Sequence, residues 1–156
     1  MKITMKSIVS VEDIAAMAFP GDELMHKELL TKCDILEAEE RYIRPVVGDR
    51  LYEALVNGSY ATLRSEYVMP ALAAWCRYLV APLLANRCMV CSEESVSSSD
   101  NVRLNIILER LAHQASMLTR RLSRHLNSHA SDYEEYNSNC NPLNRCFIYG
   151  NIIQIR

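Results

Sequence analysis

Residues 35–55, ILEAEERYIRPVVGDRLYEAL, decide the fold. They read as helix, corner, helix. Ile35, Ala38 and Tyr42 share one face of the first helix, flanked by Leu36 and Ile43, while Glu37, Glu39, Glu40 and Arg41 are expected on the wet side. Pro45 is expected to stop this helix, because a residue before proline is pushed out of the α region. Gly48 supplies backbone freedom at the corner. Asp49 fits the N-cap of a second helix that carries Leu51, Tyr52 and Leu55. The stretch is a packing and turning device and holds no catalytic pattern.

Towards the amino terminus, residues 1–9 read as a short extended arm. Ser10 caps a helix over VEDIAAMAF, with Asp13 at the third helical position, where a capping box carries Glu. Pro20-Gly21 breaks it. Asp22 is expected to cap a further helix patterned by Leu24, Met25, Glu28 and Leu29, which either breaks near Asp34 or, the favoured reading, runs on, straight or slightly kinked, towards Arg44.

Towards the carboxyl terminus, Asn57-Gly58 marks a turn. A long stripe then follows at helical spacing: Leu63, Tyr67, Ala71, Ala74, Tyr78, Pro82 and Leu83, widened by Leu72, Trp75 and Leu79. A helix apolar on more than one side belongs at the centre of a domain. Pro70 and Pro82 are expected to kink it, unless Pro70 opens a new helix. Residues 92–101, SEESVSSSDN, read as an exposed, mobile loop, with Ser99 or Asp100 capping a helix over 101–128. That helix has the cleanest amphipathic stripe in the chain: Leu104, Ile107, Leu108, Leu111, Ala115, Leu118, Leu122 and Leu126. Beyond it the sequence is polar, and CFIYGNIIQIR suggests a hairpin turning at Gly150-Asn151. The expected fold is all-α: a four- to five-helix bundle with long kinked central helices over residues 1–130. A polar linker and β-forming tail occupy residues 131–156.

The 156 residues suit one domain with a real core, and glycine and proline are sparse. A net charge of −2 gives no whole-molecule attraction to nucleic acid or anionic membrane. The charge is uneven. Residues 1–60 hold seven Lys/Arg against eleven Asp/Glu, whereas residues 101–130 hold five Arg against one Glu. Such asymmetry suggests complementary surfaces, within the fold or between copies. The six cysteines do not form a secreted framework, and the opening MKITMKSIVSVED lacks a leader pattern, so free thiols in a reducing cytosol are expected. No window is apolar enough for a membrane span.

Chemistry is sparse. Cys88-x-x-Cys91 with His125-x-x-x-His129 has zinc ligand types, but the gap between the pairs is far longer than a small finger uses. Cys88 and Cys91 close a helix, whose dipole disfavours a redox thiolate. No nucleophile elbow, His-Glu-x-x-His or glycine-rich phosphate loop occurs. Asp132, Glu134 and Glu135 lie too close together in a polar stretch to make a convincing site. The reading is no enzyme and no cofactor.

The run Ala38-Glu39-Glu40-Arg41-Tyr42-Ile43-Arg44-Pro45-Val46-Val47-Gly48-Asp49-Arg50-Leu51-Tyr52-Glu53-Ala54-Leu55 resembles a family of small helical proteins of Bacteroidetes prophages and tailed phages that look like head–tail connector, or head-completion adaptor, proteins. Val68-Met69-Pro70-Ala71-Leu72-Ala73 and Tyr78-Leu79-Val80-Ala81-Pro82-Leu83-Leu84 are similar to that family's second long helix with its two prolines. The resemblance covers about two-thirds of the chain. It implies a structural virion-assembly protein that forms an oligomeric ring between portal and tail. Its expected partners are further copies of itself, portal and tail-completion proteins, and DNA in passing, with no membrane. It implies residence in the cytoplasm during assembly, then in the virion. Candidate contact residues are Arg41, Arg44 and Arg50 around the corner, Arg120, Arg121 and Arg124 on the last helix, and Phe147 and Tyr149 in the tail. The alternative is a helical DNA-binding or regulatory protein of a mobile element.

Overall fold

The computed structural model describes residues 6–21, 28–90, 98–149 and 152–155. The fold is all-α. Helix α1, Val11–Ala18, starts at Ser10, whose Oγ accepts the Asp13 amide and donates to the Asp13 carboxylate at 2.7 Å. The chain then turns at Glu28 and Leu29 and begins afresh at α2, Lys32–Ala38. Thr31 caps α2 and forms a reciprocal capping box with Asp34. A helix running unbroken into residue 44 is therefore not what forms: the Thr31–Asp34 box satisfies amides that a continuous helix would have bonded within itself. The expected cap Asp22 lies outside the described residues.

Pro45 does not stop the next helix. After α2 the backbone widens into a π turn, Glu39–Ile43, in which the Arg44 amide donates five residues back to the Glu39 carbonyl. Helix α3, Arg44–Val47, carries Pro45 in its first turn, where the missing N–H costs little. The stop is Gly48, at φ 82° and ψ 158°, a conformation essentially reserved for glycine. Helix α4, Asp49–Val56, follows. Gly48, not Asp49, occupies its N-cap position. Asn57-Gly58 closes it, with Gly58 at φ 90°.

The same device recurs 25 residues later. After a short turn α5, Ala61–Leu63, a second π turn spans Arg64–Val68, and the Met69 amide donates to the Arg64 carbonyl. Pro70 then sits in the first turn of α6, Met69–Val90, which runs on through Pro82. Both sites read Tyr-[Ile/Val]-x-Pro: Tyr42-Ile43-Arg44-Pro45 and Tyr67-Val68-Met69-Pro70. Each π turn inserts one residue and so rotates the buried face. In the first rod that face runs Ile35, Ala38, Glu39, then Ile43, Val46 and Val47; in the second it runs Leu63, then Val68, Ala71, Leu72, Trp75 and Cys76. The unbroken 3.6-residue reading placed Tyr42, Tyr67 and Leu83 on those faces. Tyr42 and Tyr67 are half-buried and Leu83 is exposed.

Helix α7, Ser98–Ser128, begins within the stretch expected as loop, so Ser99 and Asp100 lie inside it and cannot be its cap. Residues 92–97 of that expected loop lie outside the described residues. α7 packs along α6, which also carries α1 and α2. The stripe of α7 is fully buried only at Ala115, Leu122 and Leu126, while Ile107 is exposed.

Residues 131–145, expected as linker, pack on the helical body. Tyr136 belongs to the core and Asn141 is 1% exposed. Asn141 Nδ2 donates to Ser123 Oγ and to the Tyr136 hydroxyl, which donates to Asn127 Oδ1. Two short strands follow, β1 (Cys146–Tyr149) and β2 (Ile152–Ile155), paired antiparallel with Tyr149 opposite Ile152. Gly150-Asn151 lies outside the described residues.

Candidate assembly interface

Glu39 sits at the centre of the corner and is fully buried, not on the wet side. Its Oε1 accepts the Ser7 hydroxyl at 2.7 Å and the Ile8 amide at 3.0 Å, and its Oε2 accepts the Tyr52 hydroxyl at 2.7 Å. One carboxyl group thus ties the amino-terminal arm, the π turn and α4 together. Burial pushes its pKa up, partly opposed by the three donors. The same burial, with the Glu39 hydrogen bond, raises the Tyr52 phenol, and Cys76 is pushed up to about 12 by burial and by the charges of Glu39 and Asp34. The spacing held a signal for this. Glu39 lies four residues after Ile35 and four before Ile43, on the apolar line of the helix.

The outside of the corner is charged. Arg44 Nε donates to Asp49 Oδ1 and its Nη1 to Glu40 Oε1, both at 2.6 Å, so one guanidinium spans the Gly48 break. Arg41 pairs with Glu37 at 2.7 Å and lies 5.4 Å from the Tyr42 ring centre. These pairs are solvent-exposed, so water and salt screen them and they contribute little to stability. Glu37, Glu40 and Arg41 thus stand on the wet side as expected.

The candidate arginines do not converge on one place. Arg44 and Arg50 line an open groove of about 710 Å³ with Glu40, Asp49, Glu134 and Glu135. Arg41 and Arg120 face each other across a smaller cleft of about 240 Å³ walled by Tyr42, Pro45, Trp75, Pro142 and Leu143. Arg120 and Arg124 line a third hollow with Asn127 and Asn144. Arg121 lies over Tyr67, 5.1 Å from its ring centre. Phe147 and Tyr149 fall in β1, with their side chains outside the described residues.

The histidines of the zinc reading are engaged in another way. His125 stacks between Tyr67 at 4.0 Å and His129 at 4.4 Å, and its Nε2 lies 2.9 Å from the Tyr133 hydroxyl. Burial and the neighbouring His129 lower its pKa. The Cys88 side chain and all of Cys91 lie outside the described residues. Among the described residues, no group of three or more His, Cys, Asp or Glu is placed to hold a metal ion, and no helix is long and apolar enough to cross a membrane. The tail is tied by Tyr60, which adopts a left-handed conformation at φ 56° and donates to Glu135 Oε2 at 2.6 Å.

No protein-family model, no curated protein and no solved structure matches the chain.

Proposed function

We propose that this chain is a structural assembly subunit of the head–tail connector type, working by binding to further copies of itself and to portal and tail-completion proteins. The observation that carries the reading is the corner. The stretch that resembles the connector family folds into a helix–corner–helix whose buried Glu39 joins three chain segments. Such a corner fixes the angle between two helices, which a ring needs from every copy. A heterologous contact closes into a ring only if each subunit repeats the same rotation. The four- to five-helix bundle belongs to this reading, and the β1–β2 hairpin serves in it as a docking arm, offering strand edges to a neighbour.

The test is expression of the full chain, alone and with a tailed-phage portal protein, followed by mass measurement and electron microscopy. Ring particles, or a complex with the portal, are the expected result. Salt-sensitive duplex DNA binding by a chain that forms neither would favour the alternative, a helical DNA-binding regulator of a mobile element. Arg120 and Arg124 would then be its phosphate contacts.

A further inference from the structure

The three hollows around the corner and the tail are continuous. Pro45 is a wall of both the open groove and the aromatic cleft. Arg120 and Leu143 are walls of both the cleft and the third hollow. The three therefore form one strip, and charge changes sign along it. The groove end holds four carboxylates, Glu40, Asp49, Glu134 and Glu135, against the two guanidinium groups of Arg44 and Arg50, which leaves two negative charges. Arg44 is already bound to Glu40 and Asp49. The Tyr60 hydroxyl holds the Glu135 carboxyl below its usual range, so that group is ionised at neutral pH. The far end holds two guanidinium groups, Arg120 and Arg124, and no carboxylate. Neither has an acidic partner among the described residues.

The middle of the strip is apolar. Tyr42 and Trp75 stack there, and Pro45, Pro142 and Leu143 complete the walls. Arg41 lies beside them with its charge met by Glu37. The cleft thus separates the acidic end from the basic end, and one chain leaves both ends unmatched.

The order of charge selects the occupant. Nucleic acid would suit the arginines but would be repelled by the carboxylates of the other end, and a basic peptide would meet the reverse problem. A surface that matches the whole strip runs basic, apolar and acidic in the opposite direction. The same strip on a second copy, turned about a two-fold axis through the cleft, does so. Each end then faces its opposite, two negative charges against two positive ones, and the two aromatic clefts close on each other.

We infer that this strip is a self-complementary docking face for a second copy of the chain. The contact is isologous and closes at two copies, so it is separate from the heterologous contact of the ring reading and does not depend on it. The test is sedimentation velocity on the full chain at low salt over a range of concentrations. Wild-type chain passes from monomer to dimer and no further. R120E/R124E makes both ends of the strip acidic, and E40K/E134K makes both ends basic. Each variant alone stays monomeric at concentrations about tenfold above the wild-type midpoint, because like charges then face each other. An equimolar mixture of the two variants dimerises again. D49K/E134K repeats the basic arm without touching the π turn. Every substituted site is exposed, and unchanged circular dichroism checks that each variant folds. A monomeric wild-type chain, a dimer indifferent to the reversals, or a mixture that stays monomeric overturns the contact. Wild-type particles larger than a dimer overturn it too, while favouring the ring reading.

Discussion

Glu39 and His125 are half a helix turn from ordinary surface positions, yet burial makes each a pH-dependent element of stability, with opposite sign. The Glu39 pKa is raised, so the folded state holds a proton that the unfolded chain releases near pH 4.3. Its contribution is full below that value and is lost as pH rises through the raised pKa. Glu39→Gln should remove this fall, seen as a difference between variant and wild type in urea midpoint between pH 4 and 8. The His125 pKa is lowered, so its contribution is full above about 6.5 and is lost as pH falls through the lowered value. His125→Gln should flatten that acid limb. Tyr52→Phe removes the donor to Glu39 Oε2 and should cost about 1–3 kcal/mol in denaturant unfolding. A cost under about 0.5 kcal/mol would mean that water reaches that oxygen.

At the scale of elements, the two π turns decide what the sequence reveals. The corner, its glycine and its two helices were legible in residues 35–55, as were the Ser10 cap and the Asn57-Gly58 turn. Much of the core was legible too, with Ile35, Ala38, Leu51, Leu55, Leu63, Ala71 and Leu72 all inside, but the positions in and next to the π turns, Glu39, Tyr42 and Tyr67, were not. A 3.6-residue count loses register wherever a helix holds one residue more per turn, and neither Tyr42-Ile43-Arg44-Pro45 nor Tyr67-Val68-Met69-Pro70 announces that extra residue by composition. Deleting Glu40 should convert the first turn to plain α-helix while Ile43, Val46 and Val47 stay on the buried face, because the residue removed is the inserted one; urea unfolding should remain cooperative. Gly48→Ala meets no atom within 4 Å, so its cost is conformational alone. It should lower stability by about 1–3 kcal/mol through the backbone angles.

On the scale of the whole chain, the all-α class followed from composition and stripe. The seating of residues 130–145 did not. Tyr136 and Asn141 are held by Asn127 and Ser123 through hydrogen bonds between side chains, and such a network leaves no periodic trace. The candidate arginines were legible as exposed positions, but the division of five of them among three hollows, with Arg121 over Tyr67 instead, depends on how α3, α7 and the tail meet. Two truncations separate the parts of the tail. Removing residues 146–156 should leave thermal unfolding unchanged and abolish assembly. Removing residues 130–156 should lower the melting temperature by several degrees, because it uncovers Ser123 and the core beside Tyr136. If the shorter deletion already unfolds the protein, the hairpin is core rather than arm.

Trp75 is the chain's single tryptophan. Its ring lies 3.6 Å from that of Tyr42 and within 2° of parallel, and its indole N–H donates to Thr119 Oγ1 at 2.9 Å. It therefore touches the corner through Tyr42, α7 through Thr119, and α6 as its own helix. The emission of one indole reports on all three at once. A partner that opens the cleft between Arg41 and Arg120 would wet the ring and shift its fluorescence to the red. A partner that seals the cleft would shift it to the blue. Docking at this junction is thus readable in the unlabelled native chain.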